Sequence, residues 1–223
     1  MAEVESNKEQ RMRFWKIASG APAVVLAMML MVLAGCKPSG GGKPSFPVVD
    51  IVTSAGTIRA ELWPDKAPKT VANFLQYADE GYYDNTIFHR CIVGFMIQGG
   101  GFTPDWTRKP TRVAIRNEAD SGLRNVRGTL AMARETAPHS ATSQFFINTV
   151  DNAFLDHEAR TKSGWGYCVF GQVLSGMKVV ESIERAPTVG DPKVGRPTLP
   201  VVIKSIRRVG GPKPTAASAK TKT

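Results

Sequence analysis

Between positions 47 and 209 the apolar residues fall in short runs cut by glycine, proline and polar residues, and only two stretches repeat at helical spacing. Residues 47–53 are a β-branched run, Ser54-Ala55-Gly56 turns the chain, and residues 57–62 alternate apolar and polar, which reads as a hairpin. Residues 64–68 carry two prolines that break the strand. Over 70–80, Val71, Phe74, Leu75 and Ala78 form one helical stripe that Gly81 ends. Short apolar runs follow at 86–90, 95–98, 129–133, 145–148 and 167–174. A second helix fits 177–185, with Val179, Val180 and Ile183 inward, and a last strand fits 200–209. Many short strands with two helices point to an antiparallel barrel or sandwich with helices packed on it. Closure into a barrel removes exposed strand edges. Residues 99–128 form a long, glycine- and charge-rich stretch, the kind of loop that often carries function.

With 223 residues the chain can fill one core and still carry appendages. The net charge of +10 admits an anionic partner, but Lys and Arg are scattered and no aromatic-basic repeat is present, so nucleic-acid binding is not expected. Three cysteines without a CxxC or a Cys/His cluster argue against a disulfide framework and a structural zinc site, and no metal is expected. His89, His139 and His157 lack ligand spacing and are expected as surface or packing residues.

The first residues end in the cationic cluster Arg11-Met12-Arg13-Phe14-Trp15-Lys16, and 17–35 then carries no charge. This resembles the n-region and h-region of an export signal. Leu33-Ala34-Gly35-Cys36 resembles a bacterial lipoprotein processing site, with lipid attached at Cys36. The alternative is an uncleaved signal anchor in the inner membrane. Either way the cationic side stays cytoplasmic and the rest is exported, tethered in the cell envelope and facing the periplasm. Lys37 after the cysteine favours the outer membrane. The expected organisation is a signal peptide at 1–35, a Gly/Pro/Ser-rich tether at 36–45, one folded domain at 46–209 and a disordered basic tail at 210–223.

Three segments carry chemistry. In Phe88-His89-Arg90-Cys91-Ile92-Val93-Gly94-Phe95-Met96-Ile97-Gln98, a period-two strand sends Phe88 and Arg90 to one face. An arginine among Phe95 and Met96 is costly unless it meets solvent, an anion or a ligand. A surface salt bridge is the plain alternative. In Ser143-Gln144-Phe145-Phe146-Ile147-Asn148, Gln144 and Phe146 share one face, and Phe145 and Ile147 the other. Phe154-Leu155-Asp156 reads as a loop anchored by two hydrophobes. No G-x-S-x-G is present, and Gly99-Gly100-Gly101 lacks the Lys-Ser/Thr of a phosphate loop, so the glycines read as tight backbone passage beside a groove.

In order, FHRxxxGFMxQGG, then MAR…SQFFIN, then NxFLD, then GYxVFG, the segments resemble the cyclophilin-type peptidyl-prolyl isomerases over about residues 48–209, most closely the bacterial members. The resemblance implies a mainly β fold, a closed eight-stranded antiparallel β-barrel capped by two α-helices. It implies an enzyme that turns X–Pro bonds in proline-containing polypeptides, without metal or cofactor. It makes Arg90 the catalytic arginine. Phe95, Met96, Phe146 and Leu155 become the pocket for the proline ring. Gln98 and Gln144 hold the peptide backbone and position the arginine, and Ala133 and Arg134 lie on the strand that carries the peptide. Phe154 replaces a tryptophan of the best-known eukaryotic members, so strong cyclosporin binding is not expected. Tyr167 replaces a histidine in the pocket wall, which implies altered substrate preference. A monomer is expected, with Cys91 and Cys168 as two buried thiols. The competing readings are a module that grips proline-containing segments without catalysis, and an envelope scaffold whose tether and tail matter most.

Overall fold

The hairpin read over 47–62 forms as β1 (Val48–Thr53) and β2 (Gly56–Leu62), in register from Val48 opposite Glu61 to Thr53 opposite Gly56. The structure, a computed structural model, describes residues 46–191 and 194–210. The uncharged segment 17–35, Cys36, the tether and tail residues 211–223 lie outside the described residues.

Six further strands complete a closed barrel: β3 (Thr86–Ile92), β4 (Met96–Gly99), β5 (Thr129–Met132), β6 (Phe145–Asn148), β7 (Val169–Ser175) and, last in the chain, β10 (Val202–Arg208). The spatial order is β1-β10-β3-β4-β6-β5-β7-β2, and every pair is antiparallel. Two helices, α1 (Pro68–Asp79) and α2 (Met177–Glu184), accompany the barrel, as expected. A small separate ladder of β8 (Thr188–Val189) and β9 (Arg196–Pro197) was not legible in the sequence, because two-residue strands carry no periodicity.

α1 begins two residues earlier than its apolar stripe. Pro68 sits in its first turn, where a missing N–H costs nothing. The open amides of that turn are met from far away: Glu118 accepts from Lys69 N (3.2 Å), Thr70 N (2.9 Å) and Thr70 Oγ1 (2.8 Å). Glu118 belongs to the long stretch after Gly99, so part of that stretch is a helix cap rather than a binding loop. Along α2, Val180 and Ile183 are buried and Val179 packs at the edge of the core.

The barrel strands divide their side chains cleanly. Ile97 of β4, Leu130 and Met132 of β5, Phe145 and Ile147 of β6 and Phe170 of β7 join one core with Phe74 of α1. Phe74 lies 5.2 Å from Tyr83, 5.4 Å from Phe145 and 5.1 Å from Phe170, ring centre to ring centre. Truncating a ring so placed costs about 3–5 kcal/mol. The alternate residues, Met96, Ala131, Phe146 and Val169, form a second apolar cluster on the opposite face. Period-two geometry thus builds two apolar surfaces, and the second one supports the candidate site.

Candidate active site

One lateral row of residues crosses five adjacent strands. Arg90 on β3 stands opposite Gln98 on β4, Gln98 opposite Phe146 on β6, Phe146 opposite Ala131 on β5, and Ala131 opposite Val169 on β7. A cation, an amide and an apolar floor are therefore set side by side by strand pairing alone.

This arrangement corrects the expectation that Phe88 and Arg90 share a face. Phe88 pairs with Gly99 and Arg90 with Gln98, so the register slips by one residue at His89. That extra residue is a β-bulge, which resets alternation beyond it. Phe88 and Cys91 consequently enter the core, while Arg90 is aimed at the groove.

A cavity of about 150 Å³ opens over the row. Arg90 and Gln98 form its polar side, and Phe95, Met96, Phe146 and Leu155 its apolar side. Ala133, Arg134 and Tyr167 complete the wall. Ala133 and Arg134 lie one and two residues past the end of β5, and Ala133 still donates its N–H to the Gln144 carbonyl at 3.0 Å. Gln144 lines an adjoining cavity of about 360 Å³. Its Oε1 accepts from Gln98 Nε2 at 2.9 Å, which locks both amides. Phe154 does not line the small cavity. The 3₁₀ turn Ala153–Leu155 buries Leu155 and leaves Phe154 71% exposed, stacked on Phe95 with ring centres 5.6 Å apart. Adjacent residues of a tight turn point apart, so only one of this pair can enter the cavity.

Arg90 makes no ion pair among the described residues, which removes the surface salt-bridge reading. Its guanidinium carbon lies 5.7 Å from the centre of the Phe95 ring. Burial pushes its pKa below the ordinary guanidinium value, with Tyr167 acting in the opposite sense. An arginine does not lose its proton in a protein. The half-buried charge is left short of partners, and an incoming lone pair can supply one.

The glycines do act as close backbone passage. A Cβ on Gly101 would fall 2.6 Å from Gln144 Cγ, so the Gln144 side chain occupies the space a larger residue would need. His89 packs on Phe102 (4.7 Å between ring centres), and His139 and His157 both pack against Trp165 (4.6 and 5.6 Å), in line with their reading as packing residues. Cys91 and Cys168 are buried free thiols, as expected.

Sequence reasoning missed the support beneath the cavity. Asn125, Asn148 and Asn152 are almost fully buried. Asn152 Nδ2 donates to the Phe95 carbonyl (2.9 Å) and to Asn148 Oδ1 (2.8 Å). Asn148 Nδ2 donates to Thr129 Oγ1 (2.9 Å) and Asn125 Oδ1 (3.3 Å). Asn125 Nδ2 donates to the carbonyls of Leu155 (3.1 Å) and Tyr167 (3.3 Å). The three amides thus fix the backbone of three cavity residues from three separate segments. The only sequence signal was that Asn148 closes one of the motifs and Asn152 opens the next. Glu184 of α2 adds a fourth anchor by accepting from Gly94 N at 2.8 Å, at the turn that leads into Phe95.

Comparison with known proteins places these features in a family context. Residues 48–208 match the family model described as cyclophilin type peptidyl-prolyl cis-trans isomerase/CLD. The chain is 56% identical over 164 residues to peptidyl-prolyl cis-trans isomerase cyp18 of Streptomyces antibioticus, covering 73% of this chain and 98% of that protein. It is 57% identical over 141 residues to peptidyl-prolyl cis-trans isomerase B of Escherichia coli strain K12, covering 63% of this chain and 86% of that one. Among solved structures, a cyclophilin-type isomerase of Cryptosporidium parvum, crystallised in the presence of the dipeptide Ala-Pro, superposes with a TM-score of 0.61 at 33% identity, covering 71% of this chain and 96% of that one.

Proposed function

The chain belongs to the cyclophilin-type peptidyl-prolyl cis-trans isomerases, and from that premise we propose that Arg90 is the catalytic group of an enzyme acting on exported polypeptides in the cell envelope. The observation that carries the catalytic assignment is the unpaired Arg90 guanidinium in one small cavity with Phe95, Met96, Phe146 and Leu155.

The X–Pro bond resists rotation by ~18–20 kcal/mol because amide resonance must be broken. As the bond twists, the prolyl nitrogen becomes pyramidal and regains a lone pair. The apolar side of the cavity holds the ring still. Arg90 donates a hydrogen bond to the developing lone pair, a contact that neither planar isomer can make as well. The twisted state is therefore bound more tightly than the ground states, which is what acceleration requires. No covalent bond to the enzyme is made, so no nucleophile takes part. Gln98 and Gln144, locked to each other, hold the peptide backbone, while Ala133 and Arg134 carry the chain past the cavity. Phe154 acts at one remove, by backing Phe95. Arginine suits the task because its donor fork is rigid and permanently charged.

Two-dimensional exchange spectroscopy on an X–Pro peptide tests this reading. Cis/trans exchange that accelerates with added protein is the expected result. Binding without acceleration overturns it and leaves a holding module.

The envelope part of the proposal rests on the cationic cluster, the uncharged run and Leu33-Ala34-Gly35-Cys36. The protein is then held by acyl chains on Cys36, on the outer side of the cytoplasmic membrane, with the outer membrane favoured. Each buried methylene adds ~0.8 kcal/mol to such an anchor. Intact mass of the membrane-extracted protein decides: a lipidated start at Cys36 supports it, and an unprocessed Met1 start sinks it.

A further inference from the structure

The groove around the candidate site is unevenly charged. Four cations line its three connected spaces, and only one carboxylate does. Arg90 and Arg134 line the small cavity. Arg134 also lines an open cleft of about 710 Å³ with Lys162 and Glu135, and the 360 Å³ cavity with Arg108 and Glu135. Glu135 is the lone acid, and its carboxylate lies 3.4 Å from Arg108 Nη2. Glu158, on the loop of Lys162, does not line the cleft. Other nearby acids are engaged elsewhere: Asp156 with Arg124, and Asp120 with Arg116 and Arg160. Arg90, Arg134 and Lys162 have no ion-pair partner among the described residues.

Arg134 is also held in place. Its Nε donates to the Gly166 carbonyl (2.9 Å) and its Nη1 to the Glu135 carbonyl (3.0 Å), and its guanidinium lies 4.6 Å from the Tyr167 ring centre. Carbonyl partners fix the side chain without neutralising it. Nη2 makes no hydrogen bond among the described residues. A preorganised, uncompensated cation at the junction of three spaces is arranged to receive an anion. A concave site lined with an excess of one sign of charge also concentrates the opposite sign at its mouth.

We propose that this isomerase selects X–Pro bonds flanked by an acidic side chain, with Arg134 and Lys162 as the cations that receive it. The inference rests on the reading of the small cavity as the place where the X–Pro bond turns. The partner is an acidic peptide segment, and the contact adds to kcat/KM rather than to the chemical step.

The test uses proline peptides carrying Glu, Gln or Lys at the residue before proline or at either of the two after it, with the full-length protein. At one position at least, Glu should exceed Gln by about fivefold in kcat/KM, and Lys should fall below it, the scale of exposed ion pairs. The Glu/Lys ratio should collapse toward one at about 1 M salt, where the Debye length is ~3 Å. Within each of Arg134→Gln and Lys162→Gln, that ratio should shrink. Glu and Lys peptides turned over within twofold of each other at every position, with the Gln peptide still a substrate, overturn the selectivity alone. A Gln peptide that is not turned over at any position overturns the isomerase assignment on which it rests.

Discussion

Arg90 stands opposite Gln98 across the β3–β4 ladder, although unbroken pairing from Phe88 and Gly99 would put His89 there. The bulge at His89 decides which side chain faces the groove. It also explains why two neighbours, Phe88 and Arg90, serve the core and the site respectively.

Replacing Arg90 removes the cation that stands opposite Gln98 on the cavity's polar side. Arg90→Ala should lower kcat/KM for a proline tetrapeptide by at least about a hundredfold, the scale of one lost transition-state donor. Arg90→Lys should recover only a small part, since the ammonium lacks the rigid fork. A protease-coupled assay reads both, and near-wild-type turnover of Arg90→Ala ends the mechanism.

Gly101→Ala should act through Gln144. The added methyl would fall 2.6 Å from Gln144 Cγ, which forces that side chain off the 2.9 Å bond to Gln98. We expect kcat/KM to fall by about tenfold, with Gln98→Ala similar and the pair less than additive, as for residues in one network. Strict additivity in the double variant would show that the amide pair is not the route.

Asn152→Ala deletes donors to the Phe95 carbonyl and to Asn148, and leaves both buried acceptors short. The cost should be about 1–3 kcal/mol of stability. KM should rise more than kcat falls, because Phe95 is a wall and not a donor. Chemical denaturation and steady-state kinetics check both halves. An unchanged midpoint with unchanged KM would contradict the supporting role.

His89 should make folding stability depend on pH. Burial, assisted by the Arg90 charge and opposed by a contact to the Ile87 backbone, lowers its pKa from 6.5 to about 4. The unfolded chain therefore binds the proton more readily than the fold does. Stability from this group is complete above about pH 6.5 and declines as pH falls toward 4. The loss is on the order of 2–3 kcal/mol, trimmed by partial solvent access. His89→Leu should flatten unfolding free energy against pH in that window, and an equally steep curve would refute the assignment.

Neither described thiol should react in the native state. Burial pushes Cys91 up to about 12 and Cys168 up to about 11, so thiolate is scarce at neutral pH. Peptide mapping after maleimide treatment should find both unmodified until denaturant is added. Rapid labelling of either in the folded protein would show that the barrel opens there.

Much of the site was legible as a set of residue types. The hairpin, the two helical stripes and the split of Gln144 and Phe146 from Phe145 and Ile147 all follow from local periodicity, and the structure keeps them. Which of Phe154 and Leu155 enters the cavity could not be read, because a stretch shorter than one turn has no period from which to read direction. The Asn125, Asn148 and Asn152 support was invisible because, the four-residue Asn152–Asn148 contact apart, its hydrogen-bond partners lie 19 to 57 positions apart and leave no local pattern. The Glu118 cap on α1, reaching across 48 positions to Thr70, escaped for the same reason.

The amino-acid order by itself determined where the two helices and the longer strands form and, outside the bulge at His89, which side chains alternate, since these depend on neighbours two to four positions away. Only the folded barrel decided that Arg90 rather than His89 faces Gln98, that Phe154 stays outside the cavity, and that Arg134 holds its charge uncompensated at the junction of three spaces. Those outcomes are set by pairing across strands and by which groups meet from distant segments, and such contacts exist only once the sheet has closed.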